Sequence, residues 1–221
     1  MTFYAELQAQ TASERQALLR APIIQNALQG GIGLGQYVAF LTQAYHHVRH
    51  TAPLLMACGS RLPDRLAWLR FAIAEYIAEE IGHDEWILAD LAACGADADA
   101  IRNGQPAFET ELMVRYAYHQ IDRRNPIGFF GMVHVLEGTS IAVASAAADA
   151  IRVSLGLPSK AFTYLSSHGS LDIEHVKLFE GLMNKVTEPG DQAAIVHCAR
   201  AFFRLYGDIF RSLPGENRRA A

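Results

Sequence analysis

Between Arg124 and Asp149 run 24 residues, NPIGFFGMVHVLEGTSIAVASAAA, that carry one formal charge, Glu137, near their middle. A segment this long and apolar has to be screened from water over most of its surface. It is long enough to cross a bilayer. A carboxylate at mid-span is costly in lipid, however, and His134 sits one turn before it. The Ala/Ser/Gly-rich second half suits close helix packing. The expectation is therefore a buried core helix and no membrane span. The carboxylate needs an explanation of its own. An ionised group in an apolar environment costs several kcal/mol even after relaxation. It persists when a cation neutralises it, when Arg or Lys pairs with it, or when its pKa is raised. No Arg or Lys lies between Arg124 and Arg152. A basic partner from another helix stays open, and a metal ion is the preferred reading.

The rest of the chain is helical in pattern. Sustained apolar/polar alternation is missing and β-branched residues are sparse. Helices are expected over 2–19, from Pro22 to the GGIG at 30–33, over 35–59 with a kink near Pro53, and over 64–94 up to Gly95. Further helices are expected over 106–123, 126–154, 159–167, 170–187 and 191–212. Pro at helix starts and Gly at helix ends set these limits. The fold class is all-α. The chain reads as one domain over 1–221, with 212–221 as a frayed tail.

Hydrophobic residues make up 51% of the 221 and charged residues 19%, enough apolar material for a substantial core. The net charge of −4, without any basic run, argues against nucleic acid as a partner. Cys58, Cys94 and Cys198 form no CxxC and no disulfide framework. The opening MTFYAELQAQTASERQ has no apolar signal core. A reducing, cytoplasmic location is expected.

HGSLDIEHV, 168–176, sets His168, Asp172 and His175 at spacings of four and three. On an α-helix these three leave one face. Two imidazoles and a carboxylate are borderline ligands for iron, manganese or zinc. In FAIAEYIAEEIGHDEWILADL, an apolar stripe through Ile73, Ile77, Ile87 and Leu91 carries Glu80 near its centre and His83 at its flank. Glu-x-x-His is the pair that di-iron bundles use. Glu79 is the alternative first carboxylate. With Glu137, the candidate metal ligands are Glu80, His83, Glu137, His168, Asp172 and His175. Cysteine is absent from all three segments, which argues against structural zinc and iron–sulfur clusters.

These pieces, with QAYHHVRHTAPLL and HVLEGTS, resemble the haem-oxygenase-like di-metal oxidases and oxygenases often called iron-containing redox enzymes. The resemblance runs from about Gln36 to Phe203, and H-x₃-D-x₂-H is its most specific motif. It implies a bundle of about seven to eight helices related in fold to thiaminase II and pyrroloquinoline quinone synthase. It also implies two iron ions, with iron/manganese as the variant, and O₂ as co-substrate. The chemistry implied is oxidation, cleavage, decarboxylation or N-oxygenation of a small molecule, with an external electron donor where the reaction needs one.

The sequence departs from the family pattern in two places. Some members carry the first Glu seven residues before the His, where this chain has Tyr76. Thiaminase II has an Asp where this chain has Ala44, and no cysteine stands at its nucleophile position, which argues against thiamin chemistry. His47, Arg49, Tyr76 and His134 are candidates for the substrate pocket or for support of the ligands. The roles of His46, His47 and His50 are left open. Phe129, Phe130, Met132, Leu136 and Ile141 are the expected apolar walls, suited to an amphipathic or carboxylate-bearing substrate. A homodimer is expected. The alternatives are a metal-free oxidase of the same fold and a helical binding protein without enzymatic activity.

Overall fold

The computed structural model describes residues 1–215, apart from the side chains of 168–175. Twelve α-helices follow one another among the described residues: α1 (Phe3–Gln10), α2 (Ala12–Leu19), α3 (Pro22–Leu28), α4 (Leu34–Val48), α5 (Thr51–Arg61), α6 (Trp68–Glu80), α7 (His83–Ala93), α8 (Ala98–Arg102), α9 (Phe108–Arg123), α10 (Phe130–Leu155), α11 (Thr163–Met183) and α12 (Pro189–Ser212). Short 3-10 turns precede α6, α10 and α11. No strand occurs among the described residues, so the all-α expectation holds.

The count exceeds the seven to eight expected, about the number in helix bundles of this kind, because expected helices are broken or added. The first breaks at Thr11, whose hydroxyl turns back to the Leu7 carbonyl at 2.7 Å. The helix expected over 35–59 breaks at Arg49–His50 rather than kinking at Pro53. Proline lacks an N–H and clashes with the carbonyl four residues back, which here is Arg49. The helix expected over 64–94 breaks at Ile81–Gly82, where Gly82 has φ +95°. That conformation is open to glycine and costly for other residues. The loop expected over 95–106 contains the short helix α8. The helices expected over 159–167 and 170–187 are instead one, α11. Its start is fixed by Asp90 of α7, whose buried carboxylate accepts the N–H groups of Thr163 (3.0 Å) and Tyr164 (2.8 Å).

The apolar run becomes α10, the axis of the bundle, which packs against α3, α11 and α12. Pro126–Leu155 is long and apolar enough to cross a membrane, and 61% of its most apolar window is buried inside the protein. Asn125 opens the segment by accepting the Ile127 N–H and donating to Asp191, which Arg65 also grips. Gly156, at φ +63°, closes it.

Two apolar cores form along this axis. Phe130, Met132 and Val135, from its first half, pack with α5, α6, α9 and α12. Ala144, Ala147, Ala148 and Ile151, from its second half, pack with α4, α7 and the start of α11. Glu137 falls between the two. At the far end, the Pro214 carbonyl accepts a hydrogen bond from Gln36 Nε2 (2.9 Å). Residues 216–221 lie outside the described residues.

Helices α10 and α12 touch most closely at Gly131. A Cβ there would stand 2.5 Å from the Ala199 nitrogen and 2.7 Å from the Ile195 carbonyl oxygen. Both are backbone atoms and cannot swing aside. Gly131→Ala is expected to destabilise the protein by about 2–3 kcal/mol, measured by urea unfolding. A loss under about 0.5 kcal/mol would mean that the helix pair separates freely.

Candidate metal centre

A cavity of about 70 Å³ lies at the junction of the two cores. Glu80 from α6 and Glu137 from α10 both line it, together with His47 of α4, Tyr76 of α6, Tyr164 of α11 and Tyr206 of α12. Leu54, Leu55, Phe129, Met132 and Leu136 supply apolar wall. Two carboxylates thus meet in a largely apolar chamber. Glu80 is mostly buried, and the Oε2 atom of Glu137 is shut off from solvent.

The break at Gly82 shapes this site. Glu80 is the last residue of α6 and His83 the first of α7. The pair does not lie on one continuous helix, as the spacing had suggested. It flanks a tight turn that still brings Glu80 Oε2 to 3.2 Å from His83 Nδ1. The His83 ring is buried and stacks on Trp86, with centroids 4.1 Å apart. Glu79 is exposed and does not line the cavity, so of the two candidate carboxylates Glu80 faces the chamber.

Tyr76 faces the cavity one turn before Glu80. Burial, followed by the Glu137 charge, pushes its phenol pKa up. The phenol therefore stays protonated, and it lines the same chamber as the Glu137 carboxylate. His47 also lines the cavity, edge-on to Tyr206 at 5.8 Å between centroids.

Two candidates lie elsewhere. Arg49 is exposed. Its guanidinium sits 5.3 Å from the Tyr45 ring centroid and donates to the Arg102 carbonyl, facing an outer pocket shared with His46 and His50. It caps the C-terminus of α4. His134 is buried in an aromatic cluster, stacked on Phe179 and edge-on to Tyr4 and Phe203. It lies about 60° around the helix from Glu137, enough to face α12 rather than the chamber. Of the expected walls, Ile141 is exposed and Phe130 belongs to the core away from the cavity.

His168, Asp172 and His175 lie outside the described residues. Their helix, α11, packs against α10 and α7, which carry Glu137 and His83. Among the described residues no three His, Cys, Asp or Glu side chains form a metal-holding group. Of the six expected ligands, the described ones are Glu80, His83 and Glu137. Tyr164 and Tyr206 were not anticipated from the sequence. Tyr206 sits on the apolar face of the amphipathic α12, a pattern that marks ordinary core residues equally well.

The model of the iron-containing redox enzyme family matches residues 38–207, and the chain belongs to that family. Its fold is haem-oxygenase-like. A Shewanella denitrificans domain of unknown function with a heme oxygenase-like fold superposes with a TM-score of 0.84 at 21% identity, over 95% of this chain and 91% of that one. A TenA homolog from Pseudomonas syringae gives 0.80 at 11% identity, over 96% and 91%. The heme oxygenase of Leptospira interrogans gives 0.78 at 16% identity, over 96% and 100%. No curated protein matches the sequence significantly.

The burial of His134 has a consequence for pH. Loss of hydration lowers its pKa from 6.5 to about 4, with a smaller push from Arg15. The folded state then binds fewer protons than the unfolded chain between those two values, so stability is lost as pH falls from 6.5 toward 4. His134→Phe is expected to remove about 1–3 kcal/mol of that loss, read from urea midpoints at pH 7 and pH 4.5. Identical pH dependence in both proteins would place the acid sensitivity elsewhere.

Proposed function

We propose that this protein is a non-haem di-iron oxidase or oxygenase that uses O₂ to oxidise, cleave or decarboxylate a small organic substrate. The observation that carries this reading is the meeting of Glu80 and Glu137, from two helices, in one chamber with apolar walls, beside His83. Two carboxylates in such a place repel each other and lose hydration. Divalent cations remove both costs. Membership of the iron-containing redox enzyme family supports iron as the metal, with iron/manganese as the variant.

Glu80, His83 and Glu137 would hold the metal together with His168, Asp172 and His175. Oxygen and imidazole ligands suit iron and manganese. Iron held there supplies redox chemistry toward O₂. The protein's own groups do the rest. Tyr76 keeps a protonated phenol in the chamber wall near Glu137. Trp86 fixes the His83 ring. Leu54, Leu55, Phe129, Met132 and Leu136 keep water out of the chamber, which strengthens charge interactions inside. The proposed partners are the small-molecule substrate and, where the reaction demands more electrons, an external donor. A cytoplasmic homodimer without a membrane span and without nucleic acid completes the proposal.

A second reading is a metal-free oxidase or a binding protein of the same fold, favoured by the likeness to TenA homologues. Metal analysis separates the two. After anaerobic loading with Fe(II) the protein is expected to hold about two irons per chain, as in di-metal sites. Glu80→Ala, Glu137→Ala, His168→Ala and His175→Ala are each expected to lose at least one, with helical circular dichroism retained. Asp172→Ala is expected to weaken one site. Glu174→Ala and Lys177→Ala serve as controls on other faces of the helix. A wild-type protein that binds less than one equivalent overturns the proposal.

A further inference from the structure

A second cavity of about 70 Å³ adjoins the carboxylate chamber, and Ser140, Tyr164 and Tyr206 line both. It lies where α10 becomes rich in alanine. Ala144 and Ala147 form its floor, and Ile23, Ile24 and Ile151 form its sides. The metal reading uses none of these residues. We propose that this cavity is the substrate's second compartment, which takes an uncharged aliphatic limb of about three to four carbons while the reacting end lies in the Glu80–Glu137 chamber. The inference rests on the function proposed above and names the kind of substrate.

The walls are mostly apolar side chains, and three of the polar ones already spend their donors inside the protein. The Tyr37 hydroxyl donates to the Ala161 carbonyl at 2.7 Å. Thr139 and Ser140 donate to the Val135 and Leu136 carbonyls at 2.6 and 3.0 Å. A polar group entering would lose its water without replacement, at the cost of an unsatisfied hydrogen bond. An apolar limb loses nothing and removes its own surface from water. Apolar cavities of this kind also stay dry, so the limb displaces no well-held water. Volume sets the length. An apolar cavity of about 150 Å³ takes benzene, roughly six carbons. A cavity of about 70 Å³ takes roughly half as many. The small side chains of Ala144 and Ala147 make the room, and any larger residue there would fill it.

Asp90 holds the shared wall in place. Its carboxylate accepts the N–H groups of Thr163 and Tyr164, so the Tyr164 ring stands at a fixed point between the two compartments.

The test uses the full-length, metal-free protein and 1-alkanols from ethanol to octanol, with dissociation constants from ligand-observed NMR. Affinity is expected to rise roughly fourfold per methylene and to level off beyond about four carbons, the number that the cavity volume sets. Ala147→Phe is expected to abolish the rise. Ile151→Ala enlarges the compartment and is expected to move the levelling point outward by about two to three carbons, the number that an isoleucine side chain loses on truncation. It keeps the test decisive should Ala147→Phe fail to fold. Affinity that does not depend on length, a rise that persists in folded Ala147→Phe, or an unmoved levelling point in Ile151→Ala overturns the compartment. Iron content is read separately on the same proteins. A wild type that binds no iron yet shows the length dependence overturns the proposed function and leaves the compartment standing. Normal iron with a flat alkanol series does the reverse.

Discussion

The carboxylate of Glu137, in the first third of the apolar helix α10, is the constraint on which the rest of the architecture turns. The helix on either side of it must be buried, and the charge itself resists burial. The bundle meets both demands by building two apolar cores, one on each half of α10, and leaving a chamber between them at Glu137. Helix α6 brings a second carboxylate, Glu80, to the same chamber. Such an arrangement is poor as packing and useful as a cation site. The energy lost to two desolvated charges is what a bound metal restores.

The surrounding elements hold this junction in place. Gly131 lets α10 lie almost against the α12 backbone. Gly82 breaks the helix between α6 and α7, and Glu80 and His83 approach each other across that turn. Asp90 fixes the first turn of α11 onto α7 and places Tyr164 at the boundary between the two cavities. That contact also anchors the helix whose later residues include His168, Asp172 and His175. The two sides of the proposed centre are therefore linked through backbone capping as well as through any shared ligand.

Much of this was legible in the sequence, for reasons that also explain the errors. The long run with one charge announced a core helix and a site, because length, apolarity and a lone carboxylate are properties of the chain itself. Glu80 was preferred over Glu79 from its position in an apolar stripe, and it does face the chamber. The stripe argument gives an angle around one helix, not the identity of the neighbour covering each face. His134 therefore looked like a companion of Glu137, though 60° of rotation puts it among Phe179, Phe203 and Tyr4. Arg49 looked like a pocket residue because His46, His47 and His50 surround it in sequence. It caps α4 with its side chain at the surface. The break at Gly82 was missed because a single glycine in a helical pattern is often tolerated. Tyr164 and Tyr206 had no distinguishing signal, since a buried aromatic at helical spacing is most often plain core.

The central claim is that Glu80 and Glu137 meet in order to share metal. X-ray absorption spectroscopy at the iron edge, on protein loaded anaerobically with Fe(II), tests it most directly. The account predicts a first shell of oxygen and nitrogen and an Fe···Fe vector of about 3.5–4 Å, with the vector lost in Glu137→Ala. Iron spectra that show no second metal in the wild type, or a vector unchanged when Glu137 is removed, would contradict it.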